Sequence, residues 1–202
     1  SMLARVAIVD PALTLECPPS VTAHAGLDAL VQCIEPFVSP FANPLTDGFC
    51  REGIRRAGSG LRRAYDDGTD LAARTDVALC SLLSGLALAN GKLGAAHGLA
   101  GPLGGHLGAP HGALTASVMV EVCEYNLAHG TDAVVARYAE VAALLTGRDD
   151  PTALLDWWNE STAELEASIA KVDETNRKVR ANLDRDKAED DARDYADQYA
   201  EL

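Results

Sequence analysis

The chain has 202 residues, 48% of them hydrophobic, with 30 acidic and 17 basic side chains and a formal net charge of −13. That length suffices for one sizeable core, or for one domain with an appendage, and the apolar content is too high for a disordered chain. The negative surplus excludes nucleic acid and anionic membrane surfaces as partners, because their phosphates repel it.

No unbroken apolar run approaches the roughly 18 residues of a bilayer span. The amino end lacks the basic segment, apolar core and cleavage site of a signal peptide, and Ser1-Met2 reads as a tag scar ahead of a start codon. The five cysteines are odd in number and contain no CxxC pair. They read as small buried hydrophobes in a reducing compartment, so a cytoplasmic protein is expected.

Taken in order, residues 4–9 (ARVAIV) are β-branched and apolar and end at Asp10-Pro11, which predicts one short strand. After the Cys17-Pro18-Pro19-Ser20 stop, a first helix is predicted over about 22–38, with a hydroxyl of Ser20-Val21-Thr22 able to cap it and Pro36 closing or kinking it. A second follows over about 44–65 and a third over about 70–90. Beyond Val77 the third is apolar nearly all round, which predicts that it is the central, most buried helix. Further helices are predicted over about 114–127 and 131–145. Residues 160–202 carry 13 acidic and 7 basic side chains and no Gly or Pro. From just before that segment, Leu155, Trp158, Thr162, Leu165, Ile169, Val172, Asn176, Val179 and Leu183 repeat at alternating three- and four-residue steps, a heptad seam that calls for a partner helix. The fold class is therefore all-α: a helical bundle with at most one short amino-terminal strand, over 3–155, and a long acidic helix over 156–202. That helix packs on the core or on a second chain, and a homo-oligomer is expected.

Between the third helix and the next lies KLGAAHGLAGPLGGHLGAPHG, residues 92–112, with three of the five histidines and seven of the seventeen glycines. A helix of ordinary make-up would reject so much Gly, each costing about 1 kcal/mol relative to Ala. The stretch reads as a turn of backbone packed close to something, with His97, His106 and His111 aimed at it.

In the first helix, Asp28 and Gln32 are four apart and share a face. Asp28 sits in an apolar setting, Gly-Leu-Asp-Ala-Leu-Val, where an unpaired carboxylate is costly. A cap, a buried hydrogen bond, a histidine or a cation would each satisfy it. Asp28 with His97 and His111 is a donor set suited to Fe(II), Zn(II) or a similar divalent ion. Gln32 adds only a neutral carbonyl oxygen. His106, between the two candidate ligands, is a candidate proton donor near substrate.

Several motifs in order carry a resemblance. They are Ala7-Ile8-Val9-Asp10-Pro11-Ala12-Leu13-Thr14, Thr22-Ala23-His24-Ala25-Gly26-Leu27-Asp28-Ala29-Leu30, Ile34-Glu35 and Ala42-Asn43-Pro44-Leu45-Thr46-Asp47. Ala73-Arg74, Leu88-Ala89-Asn90 and the Leu93-Gly94…His97…Gly104…Pro110-His111-Gly112 block continue the series. Residues 7–126 thereby resemble the carboxy-terminal helical domain of the iron-containing (group III) alcohol dehydrogenases, of the dehydroquinate-synthase-like superfamily. The resemblance implies a divalent metal, Fe(II) or Zn(II), held by one Asp and three His, that polarises a small alcohol or carbonyl substrate while hydride passes to or from NAD(P). It puts the ligand Asp on Asp28 and two of the histidines on His97 and His111, with His97 also at the reacting centre and Glu35 as structural support.

Two positions depart from that pattern. The usual second ligand is Gln32 here, and a further histidine expected near substrate is Gly101. The family's nucleotide-binding half, with its glycine-rich phosphate loop, has no counterpart in these residues. NAD(P) would then need a separate nucleotide-binding domain or subunit as partner. The alternatives are a stand-alone enzyme turned to dehydration, isomerisation or cyclisation, and a non-catalytic protein that oligomerises through its acidic helix.

Overall fold

A computed structural model of the chain describes residues 6–107 and 109–163. All regular structure among them is helical: a 3-10 turn, Pro11–Thr14, then α1 (Pro19–Val38), α2 (Pro44–Asp66), α3 (Leu71–Gly91), α4 (Ala95–Leu107), α5 (His111–His129) and α6 (Asp132–Thr146). Residues 151–163 are helical as well. The heptad positions from Leu165 onward lie outside the described residues.

Local chemistry accounts for most helix starts. Asn43 caps α2 by accepting from the Leu45 and Thr46 N–H groups, and the Thr46 hydroxyl accepts from the Asn43 N–H in return, a reciprocal capping box. Asp70 caps α3 by accepting from the Ala73 N–H. The expected hydroxyl cap from Ser20-Val21-Thr22 is not used. α1 starts one residue earlier, at Pro19, where a missing N–H costs nothing and the fixed φ suits the first turn.

The core is built around α1. Leu30, Val31, Cys33, Ile34 and Phe37 have no exposed surface, and Leu27 and Ala29 almost none. α1 touches α2, α3, α5 and α6. This corrects the expectation that α3 is central: Leu82 and Leu86 of α3 are 39% and 42% exposed. An apolar circumference predicts burial on every side, but α3 has its main neighbours, α1 and α2, along one side. By length and composition α3 is apolar enough to cross a membrane, although Arg74 and Asp76 interrupt its apolar run.

Two further expectations are revised. Of residues 4–9, those described are in no strand, and Val6 and Ile8 are exposed. A strand needs a neighbour for its backbone hydrogen bonds, and none exists among the described residues. The glycine-rich stretch is not a turn, for its residues 95–107 form α4, with Pro102 inside it. Ala96 and Ala100 are fully buried there, and burial offsets part of the glycine cost.

Charged side chains tie the bundle together where caps end. Arg137 of α6 donates to both Asp47 oxygens at 2.9 Å and to the Phe37 carbonyl at 2.6 Å, and its guanidinium lies over the Phe37 ring. Buried Arg74 donates to Thr22 Oγ1, the Gly68 carbonyl and the Cys17 carbonyl, locking the entry to α1. Trp158 is buried and donates from Nε1 to the Ala116 carbonyl at 2.8 Å, which anchors the helical residues 151–163 on α5.

Candidate metal centre

Asp28, Gln32 and Glu35 project from one stripe of α1, at spacings of four and three. The first turns of α4 and α5 meet that stripe and bring His97 and His111 to it. The approach of α5 depends on Gly112. A Cβ there would lie 2.2 Å from the His24 carbonyl oxygen and 2.7 Å from its carbon, both rigid backbone. Gly94 similarly leaves room for Glu35, whose Oε1 would be 2.8 Å from an added Cβ. The remaining glycines of α4 divide differently. Gly98, Gly101 and Gly105 face open space, and only Gly104 has packing neighbours.

Three donor atoms converge, one each from Asp28, His97 and His111, all within 4.8 Å of one another. The Nε2 atoms of His97 and His111 lie 3.4 and 3.6 Å from Asp28 Oδ1. Two donors about 2.1 Å from a common ion at the tetrahedral angle stand roughly 3.4 Å apart. Both carboxylate–imidazole spacings therefore match those of donors to a small divalent cation. His97 Nε2 is buried and has no hydrogen-bond partner, which is costly unless something else occupies the centre. The donor set, one carboxylate oxygen and two imidazole nitrogens, and this orphaned nitrogen both fit a divalent transition metal.

The surroundings fix each donor. Glu35, 3% exposed, faces His97 Nδ1 from Oε2 at 2.6 Å, while its Oε1 accepts from the Ala96 N–H at 2.7 Å. A carboxylate only accepts, so Nδ1 carries the proton and Nε2 faces Asp28. The Thr115 hydroxyl, with the His111 and Gly112 carbonyls also in reach, lies 2.9 Å from Asp28 Oδ1. Gln32 Nε2 donates to Asp28 Oδ2 at 2.6 Å, and its Oε1 accepts from Ser84 Oγ at 3.0 Å.

Burial and charge oppose each other at this centre. Burial works against a charged His97 ring, but its interactions with Asp28 and Glu35 outweigh that and raise it to about 9. For Asp28, burial pulls the other way too, yet His97, the Thr115 hydroxyl and His111 hold its carboxyl below the usual range. The centre is a half-buried carboxylate between two imidazoles, open at His111, whose side chain is 51% exposed.

Sequence reasoning names Asp28, His97 and His111, and the structure brings them together. Gln32 is adjacent through Asp28. His106 is exposed in the last turn of α4, outside this cluster. Thr115 and Ser84 are not read from the sequence. Thr115 follows His111 by one helical turn, a legible signal, whereas nothing near Ser84 marks it. Glu35, read as structural support, contacts a candidate ligand directly.

Residues 22–200 match the model of the Fe-containing alcohol dehydrogenase family, C-terminal. The chain is 37% identical over 178 residues to Long-chain-alcohol dehydrogenase 1 of Geobacillus thermodenitrificans, covering 88% of this chain and 42% of that protein. An iron-containing alcohol dehydrogenase from Thermococcus thioreducens superposes with a TM-score of 0.72 at 31% identity, covering 80% of this chain and 41% of that one. Sulfoacetaldehyde reductase from Bifidobacterium kashiwanohense, solved in complex with NAD+, gives 0.69 at 27% identity, with 77% and 40% covered. The chain thus spans about two fifths of the length of these relatives. The match over most of the chain, on the same helices that carry the Asp28 centre, shows that the chain belongs to the Fe-containing alcohol dehydrogenase family, to its carboxy-terminal helical domain.

Proposed function

We propose that this chain is the metal- and substrate-binding half of an alcohol-dehydrogenase-type oxidoreductase that acts on an alcohol or carbonyl compound. The observation that carries the reading is the convergence of Asp28, His97 and His111 from three helices, with His97 Nε2 buried and unpartnered. These three side chains would hold Fe(II) or Zn(II). When bound, such an ion supplies Lewis-acid polarisation of a substrate C–O group, the chemistry that hydride exchange with NAD(P) requires.

The chain's own residues prepare that chemistry. Glu35 holds the Nδ1 proton of His97 and with it the ring's orientation. Thr115 holds Asp28 from α5, and the half-exposed His111 lines the side through which a substrate would enter. Gly101 leaves the adjoining face of α4 free of side-chain bulk. The nicotinamide cofactor would be held by a separate nucleotide-binding half, and the similar sulfoacetaldehyde reductase was solved in complex with NAD+.

Anaerobic reconstitution with Fe(II), followed by metal analysis, tests the reading. We expect about one ion per wild-type chain and a loss of most of it in Asp28→Ala and in His111→Ala. A wild-type chain that retains no Fe(II) or Zn(II) would overturn it.

A further inference from the structure

The resemblance makes Gln32 the replacement for a ligating histidine, but its contacts assign it other work. A glutamine that ligates a cation must offer its amide oxygen. Here the group 2.6 Å from Asp28 Oδ2 is the amide nitrogen, and the oxygen is turned away to α3, 3.0 Å from Ser84 Oγ. Turning the amide over would set two acceptors, Oε1 and Oδ2, 2.6 Å apart, so the carboxylate fixes the orientation. Ser84 Oγ also lies 2.8 Å from the Ser81 carbonyl. Its single proton lies between two acceptors, that carbonyl and Gln32 Oε1, and both stay within hydrogen-bond reach.

We infer that Gln32 is a positioning residue rather than a ligand: with Ser84 it forms a strut from α3 that occupies Asp28 Oδ2 and leaves only Oδ1 for the ion. The centre then has three protein donors, Asp28 Oδ1, His97 Nε2 and His111 Nε2. Two histidines and one carboxylate with further positions open to water and substrate are the ligand set typical of non-haem Fe(II). The loss of a fourth protein ligand is accommodated by a second-layer hydrogen bond that keeps the carboxylate from swinging. Ser84 is buried, so the strut is anchored in the core and not at the surface. This inference rests on the proposed metal centre, and its test separates the two.

The probe is Co(II), titrated into the full chain and followed by its visible absorption, whose intensity and position report the donor set. The variants are Asp28→Ala, Gln32→Met, Ser84→Ala and the Gln32→Met/Ser84→Ala double. A strut predicts that Gln32→Met and Ser84→Ala each weaken Co(II) binding about tenfold, the low end for outer-layer partners of a metal ligand. The double variant should be no weaker than Gln32→Met alone, and the band shape should persist in all three, because no donor has been removed. If Gln32 is a ligand, Gln32→Met changes the band, and Ser84→Ala leaves affinity unchanged or tighter by freeing Oε1. That pattern overturns the inference while sparing the metal centre. Co(II) binding equal in wild type and Asp28→Ala overturns both. Ser84→Ala removes only a hydroxyl, so it keeps the test decisive even where Gln32→Met perturbs folding.

Discussion

Glu35 and His97 form a short polar contact in the centre: Oε2 lies 2.6 Å from Nδ1, across 62 residues of sequence. The second oxygen of the same carboxylate accepts from the Ala96 N–H at 2.7 Å. One buried side chain thus fixes the first turn of α4 and the tautomer of the imidazole it carries.

Replacing it separates the two roles. Glu35→Gln keeps the volume but offers one oxygen where two acceptors are needed, so metal affinity should fall 10- to 100-fold, on the order of other outer-layer partners. Glu35→Ala leaves the Ala96 N–H and His97 Nδ1 without their acceptor as well. We expect an additional loss of about 2–3 kcal/mol of stability in the metal-free chain, measured by urea unfolding. Equal metal affinity in wild type and Glu35→Gln would refute the positioning role.

The glycines of the site should answer oppositely to alanine. Gly112→Ala drives a Cβ to 2.2 Å from the His24 carbonyl oxygen, and neither backbone can yield cheaply. α5 must retreat from α1, which should cost about 1–3 kcal/mol or more and pull His111 away from Asp28. Gly98→Ala meets nothing within 4 Å and should stabilise α4 by up to about 1 kcal/mol. Thermal unfolding of the two variants checks the sign of each.

A surface cluster on α2 sets a pH dependence remote from the metal. The Arg55 guanidinium foremost, and Arg56 with it, hold the Glu52 carboxyl down to about 2 from an ordinary 4.5. A depressed acid stabilises the fold above its unfolded pKa, so the contribution is complete above 4.5 and is lost as pH falls toward 2. Its side chain is 40% exposed, so screening limits the contribution to about 0.5–1 kcal/mol or less. Unfolding free energies at pH 6 and pH 3 should differ less in Glu52→Gln than in wild type, by part of that amount, since pH 3 lies inside the window of loss. An unchanged difference would show that the pairing contributes nothing.

The helices were legible because their causes are local. Apolar spacing, the Asn43 and Asp70 caps and the Asp67-Gly68 turn place α1, α2, α3, α5 and α6 within a few residues of where the sequence puts them. The glycine-rich stretch misled because propensity counts only what a helix costs by itself. Burial of Ala96 and Ala100 and the Glu35 cap on the first turn are supplied by other helices. Exposure of α3 was hidden for the same reason, since composition records how apolar a face is and not whether a neighbour covers it.

The sequence by itself determined an acidic all-helical domain, the family it belongs to, and the three side chains, Asp28, His97 and His111, that converge. Only the tertiary structure decided what each of them touches. Gln32 meets Ser84 across 52 residues, His97 meets Glu35 across 62 and Thr115 meets Asp28 across 87. Hydrogen bonds within a helix follow from spacing along one chain, but a bond between helices exists only once packing has set their separation and rotation. The direction of one amide, toward or away from the ion, is settled at that level and leaves no trace in the order of residues.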